Sequence, residues 1–397
     1  MRNLVFVCNA IDDDTRIERG IVTDSPAASR KVFLLTKVLR NAGVRVFVLS
    51  LGRGRQDGSG RYFRVKVRRV NSIPVIYLPF IHFPVVSELL SLFSSIPILW
   101  YINRKKKGNN TALFYNRMLA YLPALVAVRI LGFDTFLDLE DGATDLKYWS
   151  LPGIKSRILR GLFDSLCSGG ALLACDALKR TTKLRPTQSC YGTTEPQSAI
   201  TNWDLVTVTV LLSGTVSRDT GALLLVEAIR ILRDQAPSWA RGLRFDITGK
   251  GDCLEIFKSL AEDSRKPSLI VHGRITDRQY QKIIKHTQVG LALKPNTGKL
   301  AQTTFPSKVI EFASHGILVV TTDISDVRKV LANGAIYLTV DDPLILVDKL
   351  RWIVENRRTA KALSLDGMYA VTAICAPEKV GKRLSEFLFD SSIGESI

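Results

Sequence analysis

Within the segment TTFPSKVIEFASHGILVV, residues 303–320, Glu311 is a lone acid in an otherwise apolar helical run, three residues after Lys308. If Pro306 takes its favoured first-turn position, Ser307 and Lys308 fall at the dipole-positive end of a helix and Glu311 lies one turn further in. A carboxylate there can accept two hydrogen bonds from a vicinal diol such as that of a ribose. The competing possibility is an i, i+3 surface ion pair with Lys308. Small and basic residues also recur where upstream β-like runs end: Gly214 with Arg218, Gly249-Lys250-Gly251, Gly273-Arg274 and Lys294-Pro295. One glycine at a strand end is turn chemistry. Four ends sharing the pattern predict an anionic ligand held by backbone N–H groups and a few cations.

The first half carries a different set. SPAASRK, residues 25–31, opens a helix after a long loop, so Ser25, Ser29, Arg30 and Lys31 can meet the phosphate or sugar of an acceptor; for Ser25 a plain helix cap is the alternative. DLEDG ends a strand with Asp138, Glu140 and Asp141. Carboxylates at such a place suit orienting hydroxyls or acting as a base, which makes Glu140 and Asp141 the catalytic candidates, with ordinary loop acids as the rival. Asp12-Asp13-Asp14 has the chemistry to hold Mg²⁺ against phosphates, or is simply an acidic surface loop. His82, His272, His286 and His315 show no metal or triad spacing, and His315, beside Gly316 at a helix end, reads as structural.

Positioning these groups requires a scaffold, and the chain alternates short β-rich runs with helical patterns, the signature of parallel sheets with crossover helices. The first series runs through strands at 4–8 and 44–50 with a helix at 27–41 between them, then strands at 64–70, 73–78, 111–116, 135–140 and 171–175, with a helix over 117–131. Residues 193–204 read as a linker. A second series follows, with strand-like runs at 207–214, 243–251, 268–273, 289–295 and 317–323 and helices at 220–234, 252–263, 276–286 and 307–314, then helices to Phe389. The fold class is α/β with two Rossmann-like parallel-sheet domains, 1–195 and 196–376, and a C-terminal helix and tail, 377–397.

At 397 residues the length fits two such domains. Six cysteines without CxxC spacing predict reduced thiols in a cytosolic protein and exclude a disulfide scaffold. The net charge of +18 is uneven: 29 Lys+Arg face 15 Asp+Glu through residue 195, and 26 face 22 beyond it. That asymmetry predicts an anionic partner for the first domain, against the plainer reading of a solvated basic surface. No stretch reaches the ~20 apolar residues of a spanning helix. The apolar run 80–102, interrupted by Pro97 and followed by RKKK, predicts either a buried helix or a docking surface for anionic lipid. Nucleic acid is not expected, because aromatic and basic residues are not interleaved.

LLSGTVSRDTGALLLVEAIRIL, LRFDITGKGD, LIVHGRITDRQYQKII and TQVGLALKP…FPSKVIEFASHGILVVTTD resemble, in order and spacing, the nucleotide-binding half of the family-4 glycosyltransferases of the GT-B fold. SPAASRKVFLLTKVLRNAGVRVFVLS resembles the family's acceptor half more loosely, and the likeness is greatest to members that build bacterial exopolysaccharide, capsule or lipopolysaccharide. The resemblance implies two domains facing across a cleft, with the C-terminal helix crossing back to the first. It implies a retaining, metal-independent transfer of a sugar from a nucleotide-diphosphate donor to a glycan or polyprenyl-diphosphate-linked acceptor, without a cofactor, in the cytoplasm or on the inner face of the plasma membrane. Glu311 matches the second glutamate of the family's pair, the ribose ligand; the first falls at Thr303. The backbone after Phe305, through Pro306 and Ser307, is expected at the diphosphate. The usual diphosphate-gripping Arg and Lys fall at Thr215 and Thr220, which leaves Arg218 and Lys250, or Lys299 or Lys308, to supply the charge, with Lys294 a further donor-binding candidate. A sugar-nucleotide epimerase of the same fold is the alternative activity, and a non-catalytic anionic-lipid or nucleic-acid binding protein the alternative outside enzymes.

Overall fold

In the computed structural model, which describes residues 2–56, 61–105, 108–141, 150–195 and 200–390, the chain divides into two compact units. The first comprises Met1–Thr193 and Pro377–Ile397, the second Thr194–Ala376.

In the first unit the strands are β1 (Arg2–Cys8), β2 (Arg45–Ser50), β3 (Lys66–Val70), β4 (Ile73–Tyr77), β5 (Asn109–Tyr115), β6 (Asp134–Leu139), β7 (Ala171–Leu173) and β8 (Thr187–Ser189). They form one sheet in the order β3-β4-β2-β1-β5-β6-β7-β8, parallel except for the β3–β4 hairpin. Leu4 to Cys8 are buried without alternation, as expected of a central strand covered on both faces. The helix Pro26–Asn41 starts from a Ser25 cap with proline in its first turn, and Gly43 follows its end at φ +85°. The C-terminal helix Pro377–Phe389 lies on this helix, and Gly381 permits the approach: a Cβ there would stand 2.6 Å from the Val38 carbonyl oxygen. The return of the C-terminal helix to the first unit is therefore as expected.

Several stretches of this unit differ from the sequence reading, among them the unforeseen helix Leu151–Leu166 and strand β8. The loop after β1 contains a short helix, Asp13–Glu18, capped by Asp12, whose side chain accepts from Thr15 N (3.0 Å) and Thr15 Oγ1 (2.7 Å). The expected helix over 117–131 begins as a 3₁₀ turn, Leu119–Tyr121, and becomes α-helical over Leu122–Ile130, with Pro123 in the first turn that favours it.

The second unit has β9 (Val208–Thr215), β10 (Leu243–Lys250), β11 (Ser268–Gly273), β12 (Val289–Ala292), β13 (Leu318–Thr322) and β14 (Ala335–Leu338) in one all-parallel sheet, order β11-β10-β9-β12-β13-β14. Its core joins strand residues such as Leu212, Phe245, Ile247 and Val320 to Leu225 and Ile229 of the helix Ala222–Gln235. None of the six cysteines forms a disulfide, and all are buried. No helix among the described residues is long and apolar enough to cross a membrane.

Candidate functional site

In the second unit the ends of β9 and β10 meet backbone to backbone. Gly214 and Gly249 have φ of +107° and +125°, and a Cβ on Gly249 would fall 1.8 Å from the Gly214 carbonyl oxygen. A Cβ on Gly251 would fall 2.0 Å from the Val216 oxygen. These glycines thus have a packing reason as well as any ligand-facing one. Beyond Thr215, the Thr220 hydroxyl accepts from Ser217 N (3.0 Å) and donates to the Thr215 carbonyl (2.7 Å), closing a one-turn cap ahead of the helix Ala222–Gln235. A residue that stands where a phosphate-gripping side chain was expected instead ties the loop to itself.

Onto this glycine corner comes the helix Lys308–Ser314, one residue later than the sequence suggests, with Ser307 as its cap position and buried Pro306 just before. Lys308 extends beside Gly214: its Cε is 3.6 Å from where a Gly214 Cβ would stand. Its ammonium meets Glu311 Oε2 at 2.5 Å and the Tyr280 hydroxyl at 3.1 Å, 4.8 Å from the centroid of that tyrosine's ring. Tyr280 in turn shares a 3.1 Å hydrogen bond with Ser213 of β9. Burial alone would lower the pKa of Lys308, but the Glu311 carboxylate and Tyr280 outweigh it and hold it above the ordinary lysine value. Burial, with the Glu311 charge, raises that of Tyr280. The site therefore holds an ammonium, a carboxylate and a neutral phenol side by side at a strand end. His315 fixes the helix from its far end, its Nδ1 donating to the Glu311 carbonyl at 2.8 Å.

The i, i+3 pair of Lys308 and Glu311 does form, with both side chains three-quarters or more buried. The other donor-side residues surround it less closely. Arg218 and Thr215 are exposed, Lys250 and Lys294 half-buried, and Lys294 is anchored through its backbone N–H to Thr322 Oγ1 (2.8 Å). Phe305 is buried, Ser307 and Arg274 are exposed, and Thr303 closes the short helix Lys299–Thr303. The Lys299 side chain lies outside the described residues. Tyr280 was missed in the sequence, although the capping box Thr276–Gln279 was readable and sets its helix so that Tyr280 and Ile284 face inward.

In the first unit, β6 and the helix Pro26–Asn41 bring three expected residues together. The Lys31 ammonium bridges Asp138 Oδ1 (3.1 Å) and Glu140 Oε1, and lies 6.0 Å from the Tyr115 ring centroid. Asp138 is fully buried, so Lys31 serves first as its counter-charge. Glu140 is half-buried, its N–H bound by Asn116 Oδ1 (2.9 Å), and Asp141 is exposed. Two of the four acceptor-side candidates have structural work. Ser25 caps the helix, accepting weakly from Ala28 N (3.4 Å), and buried Ser29 accepts from Ile11 N (3.0 Å) and so pins the loop after β1. Arg30 is half-buried beside them. Of the triple acid, Asp12 caps, Asp13 pairs with Arg16 at 3.1 Å and Asp14 with Arg68 at 2.6 Å. Those three carboxylates point into helix capping and ion pairs.

Residues 207–356 match the family of glycosyl transferases group 1 and form a domain of it. Over whole chains the fold is that of solved GT-B glycosyltransferases. Sucrose-phosphate synthase from Thermosynechococcus elongatus superposes with a TM-score of 0.69 at 13% identity, covering 100% of both chains. HepE from Anabaena, in complex with UDP and glucose, gives 0.69 at 12% over 98% of this chain and 100% of its own. WaaG, a glycosyltransferase involved in lipopolysaccharide biosynthesis, gives 0.62 at 12% over 98% and 100%. No curated protein sequence matches the chain.

Proposed function

We propose that this group 1 glycosyltransferase moves a sugar from a nucleoside-diphosphate donor to a hydroxyl of a glycan acceptor, with retention at the anomeric carbon. The observation that carries the donor assignment is the Lys308–Glu311 pair beside Gly214, where strand β9 ends. In open parallel sheets ligands bind beyond the carboxyl ends of the strands, and here that place offers one carboxylate for a ribose diol and one ammonium for a diphosphate. Donor binding exchanges partners: the diol hydroxyls donate hydrogen bonds to the Glu311 carboxylate while Lys308 turns to the diphosphate beside Gly214. Lys308 thus stands in for the cations absent at Thr215 and Thr220, with Arg218 and Lys250 adding field strength. Support also comes from HepE, whose structure contains UDP and glucose.

In this mechanism the bond from the anomeric carbon to the donor's β-phosphate oxygen breaks as the acceptor oxygen bonds to the same face of that carbon. The acceptor proton passes to the leaving diphosphate. Glu140, already paired with Lys31, suits orienting a hydroxyl better than taking its proton. Asp141, exposed next to it, is the second orienting carboxylate. Rate acceleration then rests on positioning and on the positive charge that meets the departing diphosphate. No metal or cofactor takes part. WaaG's role in lipopolysaccharide biosynthesis supports a lipid-linked glycan acceptor and synthesis of surface polysaccharide at the inner face of the membrane.

The test is calorimetry of UDP, GDP, ADP and their sugars against the wild type and Glu311→Ala, followed by turnover of the bound donor with and without a lipid-linked oligosaccharide mixture. One nucleotide class binding tightly, with binding lost in the variant, is the expected result; conversion of the donor without any acceptor would sink transfer in favour of epimerisation.

A further inference from the structure

The helix Pro84–Lys105 is inside out. Its buried face is Ser87, Ser91 and Ser95, each 2% exposed, continued by Leu99 and Ile102, and it packs against residues 119–130. Its exposed face is Val86, Leu89, Phe93, Ile96 and Trp100, an apolar stripe with 3-4 spacing in which Phe93 is 72% and Trp100 49% exposed. An ordinary surface helix buries the large apolar residues and exposes the serines. Of these serines Ser91 bonds within the helix, its Oγ donating to the Ser87 carbonyl (2.8 Å), whereas the Ser87 hydroxyl is buried without a hydrogen-bond partner among the described residues. The stripe extends onto the neighbouring helix Leu122–Ile130, where Val126 and Ile130 are exposed, and between the two helices runs an apolar groove of ≈ 430 Å³.

Charge decides what covers this face. From the start of the helix to residue 133 the sequence has one acid, Glu88, against Arg104, Lys105, Lys106, Lys107, Arg117 and Arg129, of which Arg117 is paired with Asp164 at 2.9 Å. Arg104 lies over the Trp100 ring, 4.6 Å from its centroid, at the end of the stripe, the pairing of aromatic and cation that suits a membrane interface. Two copies of such a band placed face to face would oppose like charges. We infer that this two-helix face of the first unit lies in the headgroup and upper acyl region of an anionic lipid bilayer, with the groove between Trp100 and Ile130 receiving an acyl chain. The inference stands apart from the transfer reaction, since it uses none of the residues assigned to the donor.

Flotation of the intact protein with vesicles of equal phosphatidylglycerol and phosphatidylcholine, against vesicles of phosphatidylcholine alone, tests it. The wild type is expected to float with the anionic vesicles. Phe93→Ser and Trp100→Ser should each weaken that binding roughly tenfold or more, and Arg104→Ser and Lys105→Ser roughly fivefold each at low salt. All four side chains are exposed, so the thermal midpoint and the nucleotide affinity should hold. If the apolar variants prove unstable, the two cation variants decide alone. Failure to float with anionic vesicles overturns the inference, as does a dimer, seen by light scattering, that Phe93→Ser dissociates: the face is then an interface between copies.

Discussion

Replacing Glu311 by glutamine keeps the side chain's size and removes its charge, and the local geometry sets two separable consequences. The first is stability. Side-chain exposures of 24% for Lys308 and 12% for Glu311 place the pair between an exposed ion pair, worth less than about 1 kcal/mol, and a fully buried one, whose breakage costs about 3–5 kcal/mol. Lys308 keeps the Tyr280 hydroxyl and some access to water, so a loss of about 1–2 kcal/mol is expected in urea unfolding at neutral pH. Because the folded pKa of Lys308 lies above its ordinary 10.5, the pair's contribution is fully present below pH 10.5 and disappears as pH rises through the raised value. The gap between wild type and Glu311→Gln should therefore close in strongly alkaline buffer.

The second consequence is affinity. Two hydrogen bonds from a ribose diol to a carboxylate, weakened but not abolished by glutamine, correspond to a loss of about 2–3 kcal/mol, or roughly 30- to 140-fold in the nucleotide's dissociation constant. The 2′-deoxy form of the same nucleotide gives the control. It should bind the wild type more weakly and, keeping only the bond from its 3′-hydroxyl, lose less on Glu311→Gln than the ribonucleotide does. If the variant binds the ribonucleotide as the wild type does while still losing 1–2 kcal/mol of stability, Glu311 serves only as the partner of Lys308 and the assignment of the donor site fails.

Gly249→Ala should destabilise the second unit by about 3 kcal/mol or more, since a side chain at φ +125° would also meet the Gly214 carbonyl; a thermal midpoint lower by roughly 6–12 °C is the readout. Lys31→Met leaves fully buried Asp138 without its ammonium, so urea unfolding should show a loss of about 3–5 kcal/mol, part of it recovered in Lys31→Met with Asp138→Asn. No recovery in the double variant would mean that Lys31 contributes through its packing over Tyr115 and not through its charge.

What could be read from the sequence follows from the range of the interactions involved. The central strands were legible because a parallel strand buried on both faces is a continuous apolar run, as in Leu4 to Cys8 or Val208 to Leu212. The four-residue β14 and three-residue β8 were not, since a strand so short has no period to count and is made by its neighbours. Glu311 and Lys308 are three residues apart and showed themselves. Tyr280, which completes their site, reaches it from another helix, and Lys31 finds Asp138 across 107 residues; neither meeting leaves a local trace. The bond that Ser29 accepts from the Ile11 N–H leaves no local trace either, because its partner comes from another segment of the chain.

The helix Pro84–Lys105 shows the limit most sharply, because both of its stripes were visible and their placement was not. Serines at 87, 91 and 95 and apolar residues at 86, 89, 93, 96 and 100 each mark one helical face, and hydropathy alone would bury the second. The helix packs against residues 119–130, whose buried side chains include Tyr121, Ala124, Leu125, Ala127 and Val128. A serine bonded one turn back along its own helix, as Ser91 is, loses little by leaving water. With the serines inward the large residues point outward, which in a protein surrounded only by water would be a standing cost of exposed apolar area. That cost is removed only if something apolar covers the stripe, so the inversion of this helix is itself an argument that the first unit works against a second, non-aqueous phase.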